Sequence, residues 1–166
     1  MSDRIDCLIQ NLSEKETLLE KLVLLLDEER DYIVDLDTEG LEVKREGKLQ
    51  LIAQLEQRKE ICKNALEEAA RALKVSSPVS LSAVLNAAPA ARRELLLKSQ
   101  RRLFELTDLL NRSNRFNRDL LYGSLSNVNR SLEFINKSLG RSVNTYSNAG
   151  SVVTGTPGGR LVRGEI

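Results

Sequence analysis

The feature that most constrains this chain is a run of apolar residues that recur every three or four positions through its last third. Two asparagines, Asn114 and Asn117, occupy the middle steps of the run. Apolar residues at this spacing share one face of a helix, so the run predicts a long helix that packs against other helices. The asparagines restrict its partners and register, because burying an amide without hydrogen bonds costs about 1 to 3 kcal/mol. The apolar members are Leu103, Leu106, Leu110, Leu121, Leu125, Val128, Leu132, Ile135 and Leu139.

Two further segments carry the same kind of pattern, and together they predict an all-α, coiled-coil-like bundle. Residues 3–36 and 41–73 form a long antiparallel hairpin, with a turn around Asp37–Gly40 where glycine lowers helix propensity. A break at 75–79, which contains Pro78, precedes a short helix at 80–87 and the long third helix at 90–139. Residues 1–140 are therefore expected to be one helical domain.

The last 26 residues have a different composition. Residues 141–166 hold five of the nine glycines, together with many serines and threonines, and too little apolar surface to fold alone. We expect a flexible, disordered tail. Either it has no function, or Val143, Tyr146, Val152 and Val153 become ordered when they meet a partner.

Composition argues against enzymatic function. The 166 residues include no histidine, which removes Ser-His, Cys-His and His-zinc sites, so we expect no catalytic residues, cofactor or metal. Cys7 and Cys62 lie far apart among helical apolar positions and are expected to be small core residues in a reducing compartment. The printed sequence shows neither a signal-peptide pattern nor an apolar run of 18 residues, so we expect a cytoplasmic protein without membrane insertion.

The net charge of +1 conceals two halves of opposite sign. Residues 1–73 contain 18 acidic and 11 basic side chains, whereas residues 74–166 contain 6 acidic and 14 basic side chains. The halves are expected to attract each other.

The last helix is more apolar than one packing face requires, because Leu95, Leu109, Leu120, Phe116 and Phe134 lie beside the main run. The extra surface is either buried within the domain or a dimer, or it forms a docking groove for an amphipathic segment of another protein. Asn114 and Asn117 likewise either set the register of the chain's own bundle or bond a bound partner.

Two stretches resemble a known family. The pattern Leu-x-x-Leu-Leu-Asn-x-x-Asn-x-x-Asn-x-x-Leu-Leu across 106–121, after an acidic hairpin and a proline-containing break, resembles the FlgN-type flagellar export chaperones. The segment from Tyr146 to Gly150 is similar to that family's tail signature of a tyrosine followed four residues later by glycine.

This resemblance implies a cytosolic type III export chaperone without enzymatic activity. The clients that the resemblance implies are the hook-filament junction proteins FlgK and FlgL. A chaperone of this family is expected to hold them by their terminal helical segments, protect them from premature assembly and deliver them to the export apparatus. Tyr146 is implied as a contact for the export-gate protein FlhA. The residues implied in client binding are Asn114, Asn117, Leu121, Leu125, Val128 and Leu132.

Two other functions fit parts of the sequence. Basic residues on the last helix, interleaved with Phe104 and Tyr122, suggest a nucleic-acid-binding module, although the near-neutral total charge and the absence of a helix-turn-helix or zinc pattern weaken that interpretation. The heptad-like seams also fit a structural coiled coil that assembles with itself, for example as a homodimer.

Overall fold

The computed structural model describes residues 2–75, 79–138, 144–146 and 152–154. Within these residues the chain is almost entirely helical, which confirms the all-α fold class. The four helices are α1 (Ser2–Asp35), α2 (Thr38–Ala72), α3 (Leu81–Ala87) and α4 (Ala90–Ser138). Every helix end lies within three residues of the bound expected from the sequence. No helix among the described residues is long and apolar enough to cross a membrane.

Two short strands follow the helices. Strand β1 (Asn144–Tyr146) pairs in antiparallel fashion with β2 (Val152–Thr154), with Tyr146 opposite Val152. Both strands lie in the segment predicted to be a disordered tail. The rest of that segment lies outside the described residues, so its disorder stays a prediction.

Internal contacts divide the chain into two units, Met1–Arg118 and Asp119–Ile166. The first unit contains α1, α2, α3 and residues 90–118 of α4. The second contains residues 119–138 of α4 and the two strands. The division thus lies within α4, whereas the composition of the sequence changes at Gly140.

The turn between α1 and α2 is shorter than the sequence suggests. Leu36 adopts a left-handed conformation with φ of 55°, and the Asp37 side chain caps α2 by accepting a hydrogen bond from the Gly40 backbone N–H at 3.0 Å. Gly40 therefore lies in the first turn of α2. A Cβ atom at this position would be 2.2 Å from Cδ1 of Tyr32, so glycine permits the close approach of the two helices.

The core of the first unit lies between α1 and the other three helices. It contains Cys62 of α2, Val84 of α3 and Leu96 of α4, each of them buried. The apolar face predicted for α1 is buried at Ile5, Leu8, Leu12, Leu19, Leu22, Leu26 and Ile33, and Val23 is buried beside it. Leu36, which the pattern also places on this face, is exposed. Small alanines of α2 let α1 approach closely; they are Ala65, Ala69 and Ala70.

The two cysteines differ. Cys62 is buried as expected, and burial raises the pKa of its thiol because the thiolate is poorly solvated there. The prediction that Cys7 is a core residue is wrong, since its side chain is exposed. Cys7 lies about 200° around the helix from Ile5, which points it away from the packed face.

Opposite charges pair across the helices of the first unit. Arg92 of α4 donates two hydrogen bonds to Asp6 of α1, at 2.9 and 3.0 Å, and Arg102 pairs with Glu20 at 2.7 Å. These contacts agree with the attraction expected between the acidic and basic halves of the sequence. Between α1 and α2 the pairs are Arg4–Glu68, Lys44–Glu28, Lys48–Glu29 and Arg58–Glu14.

Candidate partner-binding surface on helix α4

The apolar run of α4 has a buried part in the first unit. Leu106 is only 2% exposed, and Leu103 and Leu110 are half-buried. The same inward face includes Ser99 and Ser113, two buried residues that the apolar pattern does not identify. Each lies seven residues from Leu106, so a search for small side chains at heptad spacing would have found them.

Asn117 belongs to this buried face, with 2% of its surface exposed. Its amide nitrogen donates to the Leu26 carbonyl at 2.6 Å and to Glu29 Oε2 at 3.0 Å. Its amide oxygen accepts from Nε of Arg30 at 3.3 Å. Because these partners all lie on α1, the placement of Asn117 favours the interpretation in which it sets the register of the chain's own bundle.

The contacts of Asn117 extend to a third helix and to an aromatic ring. Glu29, which accepts from Asn117, also forms an ion pair with Lys48 of α2. The guanidinium of Arg30 lies 4.9 Å from the ring centroid of Phe116, within the range of a cation–π interaction. The hydrogen bonds of Asn117 and the cation–π contact of Phe116 therefore hold α4 against the hairpin.

Asn114 is in a different environment. Its side chain is exposed, although it lies only three residues before Asn117. The two asparagines that the sequence placed on one seam thus have different surroundings, and only Asn114 offers its amide to solvent.

The second part of the apolar run is exposed. We call Leu121, Leu125, Val128, Leu132 and Ile135 the α4 ridge. Their exposed fractions lie between 39% and 52%. The intervals of four, three, four and three residues give a heptad spacing, which matches the seam of a coiled coil. A second amphipathic helix can bury this seam by inserting its own apolar residues between those of the ridge.

Tyr146 is described only by its backbone, which pairs with Val152 at the end of β1. Its side chain lies outside the described residues, as does that of Leu139. The role expected for Tyr146 therefore stays a prediction.

The chemistry of the ridge suits binding. Its side chains are aliphatic, and two of the residues beside it, Tyr122 and Ser124, carry hydroxyl groups. Among the residues that the structure describes, no group of three or more acidic or cysteine side chains could hold a metal ion.

Comparison with known proteins shows which family the chain belongs to. The family model described as FlgN protein matches residues 1–154, which include all four helices and both strands. No curated protein and no solved structure matches the chain. The matched region covers most of the chain, including the buried and exposed parts of the apolar run of α4. The chain belongs to the FlgN family, a family of flagellar export chaperones.

Proposed function

We propose that this chaperone binds the terminal helical segments of the hook-filament junction proteins FlgK and FlgL, and that the α4 ridge is the binding surface. One observation carries the proposal: a helix in a chain of this family leaves five apolar residues at heptad spacing exposed to solvent. By covering the apolar face of a client segment, the chaperone prevents premature assembly in the cytoplasm and delivers the client to the type III export apparatus.

An exposed apolar ridge suits a chaperone that must also release its client. Burial of apolar side chains provides the favourable free energy of binding. A client segment that folds into a helix on binding loses conformational entropy, and this loss keeps the affinity moderate. Release at the export apparatus then requires no chemical step.

The two asparagines have separate parts in this proposal. The side chain of Asn114 is exposed, and we assign it a hydrogen bond with the client. Asn117 is bonded to α1, so we assign it the positioning of α4.

Tyr146 is proposed to contact the cytoplasmic domain of FlhA. The proposal rests on the family's tail signature, which this chain carries from Tyr146 to Gly150. Changing Tyr146 to Ala should weaken binding of the client-loaded chaperone to that domain and leave client affinity unchanged. Equal FlhA binding by the variant would remove Tyr146 from the proposal.

The client site is tested by fluorescence anisotropy with labelled C-terminal segments of FlgK and FlgL. We expect Leu125→Asp to weaken binding at least tenfold, because a carboxylate cannot be buried against an apolar partner. Ser126→Asp is the matched control, since it adds the same charge to an exposed position on another side of the helix. Similar affinity in both variants would show that the ridge is not the binding surface.

A further inference from the structure

The residues that flank the α4 ridge are uncharged on both sides. On one side, the residues that directly follow Leu121, Val128 and Ile135 are Tyr122, Asn129 and Asn136. On the other side, the residues that directly precede Leu125 and Leu132 are Ser124 and Ser131, and Ser138 continues the row. In coiled coils these flanking positions usually carry Glu and Lys, whose ion pairs select the partner and its orientation.

Three side chains are charged between residues 120 and 138, and none of them belongs to either flanking row; they are Arg130, Glu133 and Lys137. Residues 120–129 contain no charged side chain. Arg130 and Lys137 each follow a ridge residue by five positions, which places them about 140° around the helix, on the opposite side. A partner that lies along the ridge therefore meets amide and hydroxyl groups at its edges.

The earlier part of α4 is different. Residues 90–118 contain 11 charged side chains in 29 positions. Some of these pair with α1, as Arg92 does with Asp6 and Arg102 with Glu20. Residues 90–118 of α4 thus form ion pairs within the first unit. The positions that flank the ridge have no charged side chain that could form an ion pair with a partner.

Part of the flanking row is already bonded to its own helix. The Ser131 hydroxyl donates to the Asn127 carbonyl at 3.0 Å, and the Ser138 hydroxyl donates to the Ile135 carbonyl at 2.7 Å. A charged partner side chain beside these hydroxyls would lose hydration without gaining a counter-ion. An uncharged polar side chain has a smaller hydration loss at the same place.

From this arrangement we infer that the helix which occupies the α4 ridge carries an apolar heptad seam flanked by uncharged polar side chains, and that it is captured without ion pairs. The inference rests on the proposed function, because it specifies the partner chemistry of the same surface. It predicts that affinity depends on the spacing of apolar residues and little on salt concentration.

The test uses three synthetic helical peptides of about four heptads with the full-length chain. All three have the same leucine seam. One has Gln and Ser at the flanking positions, one has Glu and one has Lys. Sedimentation of each peptide and of the protein fixes concentrations at which neither self-associates. Dissociation constants are then measured at 50 and 500 mM NaCl.

We expect the uncharged peptide to bind at least tenfold more tightly than either charged peptide at 50 mM NaCl, and its affinity to change less than threefold with salt. Val128→Asp should abolish this binding and Ser126→Asp should preserve it. Tighter binding of a charged peptide, a tenfold salt effect on the uncharged peptide, or no binding by any peptide would overturn the inference.

The peptide test and the test of the proposed clients can fail independently of each other. Binding of the FlgK segment without binding of the uncharged peptide would overturn only the inference about partner chemistry. Binding of the uncharged peptide without binding of the FlgK or FlgL segment would overturn only the proposed clients. If the protein pairs with itself through the ridge at all accessible concentrations, the occupant is a second copy and the inference is wrong.

Discussion

At the scale of single residues, Asn117 is the most deeply buried polar residue of α4. Its amide group donates hydrogen bonds to a backbone carbonyl and a carboxylate of α1 and accepts one from a guanidinium of the same helix. A buried polar group of this kind stabilises one register of helix packing, because any shift leaves several groups without partners.

Changing Asn117 to Ala should therefore destabilise the bundle. The variant leaves the Leu26 carbonyl and the Glu29 and Arg30 side chains without one partner each, and we expect the free energy of unfolding to fall by about 1 to 3 kcal/mol. Urea denaturation followed by circular dichroism measures the change.

Asn114→Ala is the control for this experiment, since the side chain at 114 is exposed. Its effect on stability should be within about 0.5 kcal/mol. An equal loss of stability in both variants would contradict the different environments of the two asparagines.

The sequence could predict that an amide interrupts the seam of α4, but it could not predict which amide is buried. Asn114 and Asn117 are the same residue type, both in heptad register with apolar residues. The choice depends on where the carbonyl of Leu26 and the side chains of α1 lie, and those positions follow from tertiary packing.

At the scale of helices, Gly40 shows how packing overrides intrinsic propensity. Gly40 lies in the first turn of α2, where the Tyr32 ring contacts it directly. The ring is itself held near Lys44, whose Nζ lies 5.6 Å from the ring centroid. The low helix propensity of glycine suggested a turn over residues 37–40, and that prediction missed the close contact between helices.

Changing Gly40 to Ala should destabilise the hairpin even though alanine is the better helix former. The new Cβ would lie 2.2 and 2.4 Å from two ring atoms of Tyr32, and overpacking of this kind costs about 1 to 3 kcal/mol. Thermal or urea denaturation measures the loss. Adding Tyr32→Ala should recover part of it, because the two positions are directly coupled.

Gly123→Ala is the matched control. Among the described residues, no atom beyond the neighbouring residues and local helix backbone lies within 4 Å of a Cβ at residue 123. The substitution should therefore raise helix stability by up to about 1 kcal/mol. If Gly40→Ala also stabilised the protein, that result would contradict the close contact between the Tyr32 ring and residue 40.

Helix α4 also changes in composition along its length. Residues 120–138 contain four serines, three asparagines and a glycine, which favour a helix weakly. The ridge in this stretch is exposed, and packing is the main source of helix stability in proteins.

Hydrogen exchange should therefore be faster for amides of residues 120–138 than for those of residues 96–117. Addition of the FlgK segment should slow exchange in the first range, because the client buries the ridge, and should leave residues 9–33 of α1 unchanged. Mass spectrometry of peptic fragments measures both effects. Equal protection from hydrogen exchange along the whole of α4 in the absence of client would contradict the proposal that residues 120–138 are stabilised by a bound partner.

At the scale of the whole molecule, the periodicity of the sequence was sufficient to predict three long helices, one short helix and the buried face of α1. It could not predict that the apolar run of α4 is buried near Leu106 and exposed from Leu121 onward. The spacing of apolar residues is the same in both parts. Their burial depends on which other helices lie beside them, and periodicity does not contain that information.

The family match and the exposed ridge support the same function from different observations. The match assigns the chain to the flagellar export chaperones. The ridge is an exposed apolar surface at heptad spacing, and we propose that it covers a helical client and later releases it. The central claim of this account is that client binding consists of apolar burial on Leu121, Leu125, Val128, Leu132 and Ile135.

Titration calorimetry of the full-length chain with the C-terminal segment of FlgK from the same organism tests this claim most directly. We predict saturable one-to-one binding with a negative heat-capacity change, the signature of apolar burial. Val128→Asp should remove the signal while circular dichroism shows unchanged helicity. Absence of binding at high micromolar concentration, or equal affinity and heat-capacity change in the Val128→Asp variant, would contradict the account.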